Sequence, residues 1–280
     1  VMIASTGPAQ GTEEMDGQSA EPEGGNKQRQ RSIAQYVIAH GSVAVATLAK
    51  RFDVSAMTIR RDLVELETVG ILRRSHGKAT AVSTRLFESS TEYRLDENRL
   101  AKLALGRAAA TFIQPGQAVF LDDSTTGIFF ANEIKGISPL TVITNFDAVA
   151  QALKHEPGIA LNLVGGKYQE WCDAYQDGQT VETIRRMRAD VFVMSTAAVI
   201  DNACFHQAVE TGLIKQAMFE SSRQRILYVD HTKFERRALH MMMPLSAFDV
   251  VIVDSATPTE TVEGIRHLGV EVVVAPDVTA

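Results

Sequence analysis

The sequence predicts an α/β protein in two parts: a small basic helical unit ending in two short strands, then a larger domain on a mostly parallel sheet. Three observations predict it. The chain has 280 residues, enough for about two domains. Positive charge is concentrated near one end: residues 27–80 hold ten Lys or Arg against four Asp or Glu, although the whole chain carries −6. From residue 118 onward, short apolar runs alternate with amphipathic segments, the pattern of a parallel sheet covered on both faces.

Residues 1–26 carry five acids and no Lys or Arg, are rich in Gly, Glu, Gln and Pro, and are expected to be a disordered tail. Residues 27–82 form the first unit. Ile33, Tyr36 and Val37 recur at helical spacing, and His40-Gly41-Ser42 ends that helix. Val45, Leu48, Ala49 and Phe52 mark a second, short helix, closed by a turn at Asp53-Val54. Ser55 is placed to cap a third helix, whose buried stripe is Ile59, Leu63 and Leu66 and whose stop is Gly70. Ile71-Leu72-Arg73-Arg74 and Ala79-Thr80-Ala81-Val82 then flank Ser75-His76-Gly77-Lys78 as a two-stranded wing. This order of elements is a winged helix-turn-helix.

Residues 83–100 are polar, without a core pattern, and read as a linker that enters a helix near 94. Residues 101–280 form the second domain. Its expected strands are the runs at 118–122, 140–145, 159–165, 190–196, 225–230, 249–254 and 270–275, with helices at 146–154, 178–188, 207–222 and 258–268 between them. No apolar run approaches the length of a membrane span, and no basic-then-apolar leader is visible, so neither a membrane partner nor a secretory signal is expected. Cys172 and Cys204 are the two cysteines, far apart and outside any metal-ligand spacing, which fits a reducing, cytoplasmic setting without disulfide, metal or other cofactor.

The charge of residues 27–80 suits duplex DNA. With Ile59, Leu63 and Leu66 buried, Met57, Thr58 and Arg61 lie on the opposite side of the third helix and Arg60 on its flank. The first turn of a recognition helix is what reaches base edges in the major groove. Arg suits a bidentate contact to guanine, and Thr can meet a base or a phosphate. Ser55, Arg73, Arg74 and Lys78 complete the candidate DNA-binding set, with Lys50 and Arg51 as further phosphate contacts. Two arginines alone are equally a solvated helix face, with Arg61 paired to Glu65. Three short helices, a cap and a basic wing in this order favour DNA over a protein-binding module.

A second site is expected at strand ends, where open α/β sheets bind ligands. Asp122-Asp123-Ser124-Thr125-Thr126-Gly127 leads from a strand into a helix, so backbone amides can face an anion. Thr144-Asn145 and Gly165-Gly166-Lys167 also close strands, and the three turns are candidates to converge. A Ser/Thr-rich turn by itself is also a plain helix cap.

Segment 55–63, Ser-Ala-Met-Thr-Ile-Arg-Arg-Asp-Leu, resembles the recognition helix of the DeoR family of bacterial transcription regulators. Arg29 to Ala34, Leu48-Ala49, Gly70-Ile71, the wing, Asp122 with Ser124-Thr125-Thr126, Thr144-Asn145, Gly165-Gly166, Glu210 with Lys215, and Asp230 with Lys233-Phe234 extend the likeness over nearly everything after the tail. The resemblance implies a body similar to ribose-5-phosphate isomerases and CoA transferases that senses a sugar phosphate or related metabolite. It implies Ser124, Thr125 and Thr126 as phosphate contacts, Asp122 (with Asp123 a weaker choice) on sugar hydroxyls, Glu210 as a second carboxylate, and Lys215 and Lys233 as cations. It further implies a homo-oligomer on operator DNA, usually a repressor of a carbohydrate operon. The segments 195–204 and 169–177 depart from the common pattern and are candidates to line the pocket; Trp171 is a stacking platform or a packing anchor. An isomerase-like enzyme carrying a DNA-binding module is the competing reading, but no nucleophile–base motif, metal cluster or phosphate-binding glycine loop supports it.

Overall fold

A computed structural model describes residues 23–68, 70–81 and 91–278. The first 22 residues, most of the expected tail, lie outside them. Helix α1 (Glu23–His40) starts four residues inside the segment expected to be disordered. It buries Ile33 and Val37 against Leu48 of α2 (Val45–Phe52) and Ile59, Leu63 and Leu66 of α3 (Ala56–Thr68). Between α1 and α2 a short strand, β1 (Ser42–Ala44), pairs antiparallel with β3 (Lys78–Ala81), which also pairs with β2 (Leu72–Ser75). No local pattern marks β1, because its pairing partner is more than thirty residues away. His76 and Gly77 both take positive φ, +48° and +74°, as a tight two-residue hairpin requires.

The second domain begins earlier than its apolar pattern suggests. Residues 83–90 of the expected linker fall outside the described residues, but 91–100 form α4 (Thr91–Asp96) and open α5 (Arg99–Ala110). Polar contacts hold this segment: Lys102 Nζ donates to the Arg94 carbonyl, and Asn98 Nδ2 donates to Asp230 Oδ1 at 3.1 Å. A search for hydrophobic periodicity does not detect such contacts.

All seven expected apolar runs join one parallel sheet. In chain order its strands are β4 (Ala118–Leu121), β5 (Leu140–Thr144) and β6 (Ile159–Leu163), then, after a small hairpin of β7 (Tyr168–Gln169) and β8 (Ala174–Tyr175), β9 (Ala189–Met194). The chain then makes a second, antiparallel sheet from β10 (Ala198–Ile200), β11 (Ala203–His206) and, after β12 (Ser222–Val229), β13 (His240–Pro244). Strands β14 (Val250–Val253) and β15 (Glu271–Val274) finish the main sheet, whose order is β15-β14-β12-β9-β4-β5-β6.

Side chains alternate between the two faces. Val191 and Val193 of β9 pack with Leu105 and Ala109 of α5 and with residues of α6 (Thr125–Glu133) and α7 (Asp147–Leu153). Phe192 and Met194 pack on the other side with α8 (Gly178–Arg185), α9 (Val209–Glu220), α10 (Thr259–Arg266) and the small sheet. The chain leaves β4 for β5 and β6 on one side, then returns to β9 on the other. The connections that leave the carboxyl ends of β4 and β9 therefore run in opposite directions, which opens a crevice between them.

Helix α5 lies close against α6. A Cβ added at Gly106 would sit 2.9 Å from the Phe130 amide nitrogen and 3.1 Å from the Phe129 carbonyl carbon. Backbone cannot yield as a flexible side chain does. Gly106→Val should therefore lower stability by about 2 kcal/mol, within the usual cost of overpacking. Gly136, with no neighbour within 4 Å of its added Cβ, is the control, and Gly136→Ala should leave the urea midpoint nearly unchanged.

Candidate functional sites

The crevice is floored by a buried ion cluster. Asp122, fully buried after β4, accepts hydrogen bonds from the Ser195 amide at 2.9 Å and from the Ser124 hydroxyl at 2.6 Å, and pairs with Lys215 of α9. Lys215 also reaches Asp123 Oδ1 at 3.0 Å, and Asp123 Oδ2 accepts from Gln176 at 2.8 Å. Burial opposes a charge on Lys215, but the two carboxylates outweigh it and raise its pKa above the usual lysine range. Three elements, the β4–α6 turn, the end of β9 and α9, are thus tied at one point. The Ser124 hydroxyl caps α6 by accepting from the Gly127 amide at 3.1 Å.

Above this floor is a pocket with about 610 Å³ of empty space, part of it open to solvent. Ser124, Thr125 and Thr126 line it from α6, and Ser195, Thr196 and Ala197 from the end of β9. Arg94, Glu97, Asn98 and Lys102 form a wall from α4 and α5, and Asp230, Lys233 and Arg236 form the wall beyond β12. Burial works against the charge on Asp230, but Lys233, the Thr232 hydroxyl, Arg236 and Lys102 keep its carboxyl below the usual range. His206 completes the lining; its Nδ1 lies 3.1 Å from the Ala208 amide nitrogen and 3.3 Å from the Ala208 carbonyl oxygen.

The expected site residues divide into two groups. Ser124, Thr125, Thr126, Lys215 and Lys233 line the pocket. Asp122 lies beneath the floor with its oxygens already engaged, so Asp123 is the carboxylate that meets the pocket. The other two turns do not converge there. Asn145 Nδ2 donates to the Tyr175 carbonyl at 3.0 Å, tying β5 to β8. Gly165 and Gly166 border a separate shallow groove beside α8, where Asp177 accepts from the Lys167 amide at 2.9 Å; the Lys167 side chain is exposed. Glu210 is exposed in the first turn of α9, outside the pocket. Of the two unusual segments, Ser195-Thr196-Ala197 lines the pocket, whereas Trp171 packs against the core as an anchor. Lys102 was legible in principle: it shares a helical stripe with Leu105 and Ala109, where a charge is out of place. Burial pushes the Cys204 thiol up to about 12, which leaves it unreactive.

On the first unit, the Ser55 hydroxyl accepts from the Thr58 amide at 3.0 Å and caps α3. Met57 is 67% exposed, and Arg60, Arg61, Arg73 and Lys78 are exposed as well. Among the described residues Arg60 and Arg61 have no ion-pair partner; Glu65 instead accepts from Gln30. Asp62 points inward and is bound by Arg29 at 2.8 and 3.2 Å. Arg74 is held by Glu67 at 2.6 Å, so it braces the wing as well as adding charge.

The profile of the DeoR-like helix-turn-helix domain matches residues 29–85, and that of the DeoR C-terminal sensor domain matches residues 97–255. The chain belongs to the DeoR family. A putative aga operon transcriptional repressor of Escherichia coli O157:H7 is 30% identical over 252 residues, covering 89% of this chain and 94% of that protein. An L-fucose operon activator of Haemophilus influenzae is 29% identical, covering 82% and 92%. Among solved structures, a ribose-5-phosphate isomerase from Methanocaldococcus jannaschii is similar over 49% of this chain and 55% of its own, at 12% identity and a TM-score of 0.37. This DeoR-family chain is accordingly a DNA-binding transcription regulator with a sensor domain, not an enzyme. No described helix is long and apolar enough to cross a membrane.

The ion cluster is testable through stability. Lys215→Met leaves Asp122 buried without its cation, and should cost about 3–5 kcal/mol in urea unfolding. Adding Asp122→Asn to that variant should restore a large part of the loss.

Proposed function

We propose that this regulator controls a carbohydrate operon, with its affinity for operator DNA set by a phosphorylated sugar or related metabolite bound in the β4–β9 pocket. One observation carries the reading: the amino end of α6 and a wall of Lys and Arg side chains face a single pocket at the switch point of the sheet. A helix amino terminus and surrounding cations favour a phosphate. The hydroxyls and carboxylates on the remaining walls suit a polyol. Asp123, Ser124, Thr125, Thr126, Lys215 and Lys233 are the contacts we assign to it. Asn145, Gly165, Gly166, Lys167 and Glu210 are left out of this set because of where they stand.

The pocket wall also suggests how the signal travels. Residues 91–98 are the first described segment after the wing strand β3, and they supply Arg94, Glu97 and Asn98 to the pocket. A ligand that binds differently to two positions of this wall shifts DNA affinity by that difference. We take the protein to act as a homo-oligomer that sets two recognition helices on paired half-sites. The names of the relatives include both a repressor and an activator; repression relieved by the metabolite is the mode we favour.

Fluorescence anisotropy on duplexes from upstream of its own coding region tests the DNA half. Arg61→Ala should lose selective binding by roughly 10- to 100-fold, the worth of a bidentate base contact. Lys78→Ala should weaken all duplexes alike and reduce the salt slope by about one. Equal binding of every duplex by the wild type would defeat the proposal of sequence-specific control. For the sensor half, a panel of sugar phosphates should contain a compound that raises the melting temperature and changes operator affinity, while its dephosphorylated form does neither. Lys233→Met should blunt that response.

A further inference from the structure

Lys102 is the pocket cation whose surroundings least suit a charge. It is 4% exposed, and its ammonium points at the Arg94 carbonyl, a neutral acceptor. Among the described residues no carboxylate oxygen lies within 4.0 Å of it, in contrast to Lys215, which has two carboxylate partners. The groups facing it come from every wall. Arg94 and Glu97 stand on the α4 side, and Asp230, Lys233 and Arg236 beyond β12. Across the pocket are Asp123, already paired with Lys215, and His206. Lys233, Arg94 and Arg236 repel a charge on Lys102; Asp230 attracts it, but also faces Lys233 and Arg236.

We propose that binding of a dianion in this pocket is coupled to uptake of one proton by Lys102, so that effector affinity falls as pH rises. The proposal rests on the anion-binding reading of the pocket given above. The balance is simple: neutral Lys102 amine, the dianion and one proton from solvent give the ammonium paired with the dianion. Burial, aided by Lys233, brings the lysine in the empty pocket down to about 7. A bound dianion supplies the missing counter-charge and restores the ordinary lysine range. Between those limits each bound anion must bring a proton, so affinity drops about tenfold per pH unit above 7. At pH 6 the lysine is already charged and the coupling vanishes. A regulator built this way senses metabolite and intracellular pH together, and alkalinity acts as an apparent loss of effector.

Sulfate is the probe, because it stays dianionic from pH 6 to 9. Titration calorimetry of the full chain at pH 8, in buffers of different ionisation enthalpy, should show close to one proton taken up per sulfate, with affinity falling steeply from pH 7 to 9. Lys102→Arg, which stays charged, should bind sulfate without that slope, and His206→Gln should keep it. The carbon-13 shift of Lys102 Cε in the wild type is independent of how any variant folds; its midpoint should lie near 7 without sulfate and move above 9 with it. Sulfate that binds equally well at all pH values with no proton uptake, or a free-protein midpoint in the ordinary lysine range, overturns the coupling while leaving the pocket reading intact. A midpoint near 7 with no sulfate binding even at pH 6 overturns the anion-pocket reading, and the coupling falls with it.

Discussion

The buried pairing of Lys215 with Asp122 and Asp123 is the constraint on which the sensor domain depends. A charge cannot be left alone in a core, so once Asp122 is buried at the end of β4 a cation has to come to it. That cation comes from α9, and the Ser195 amide from β9 closes the same carboxylate. Three segments distant in sequence are thereby fixed at the point where the sheet changes direction. Asp122 serves the site indirectly. With its oxygens engaged it positions Ser124 and α6, and leaves the pocket to Asp123 and the amino end of the helix.

Above this floor the pocket wall is tied in a different way. Its α4 side is tied by polar links, among them Asn98 to Asp230 and Thr232 and Lys102 to the Arg94 carbonyl. Elements held in this way change position at lower cost than packed core. The same wall contributes the cations that a phosphate would engage, and it leads directly from the segment that follows the DNA-binding unit. On the proposed reading, recognition and transmission share residues, which is an economical arrangement for a switch in one chain.

The DNA-binding unit shows the complementary design. Two of its four acids are turned inward or used as braces: Asp62 is bound by Arg29, and Glu67 fixes Arg74 of the wing. The exposed tip of α3 is left with Met57, Arg60 and Arg61, and the wing with Arg73 and Lys78. The module's net positive charge is therefore presented at the tip of α3 and on the wing.

Much of this was written in the sequence by itself. Near-continuous apolar runs marked all seven strands of the main sheet, and the stripe Ile59, Leu63, Leu66 set which side of α3 faces out. Those signals are local, since each depends on how a short segment meets water. The turn at 122–127 was also legible, because a capping serine and small residues act within a few positions. The remainder depended on tertiary structure. Nothing local tells Asn145 that the Tyr175 backbone will consume its amide, or tells Gly165-Gly166 that α8 will claim their turn, so convergence of three turns was a reasonable expectation that only packing could decide. β1 and the pairing of β13 with β11 were missed for the same reason: their hydrogen-bond partners lie far along the chain. Local chemistry determined the elements and the family. The meeting of distant charges, Asp122 with Lys215 and Lys102 with Lys233, was decided by the fold alone, because electrostatic neighbours are set by space and not by sequence distance.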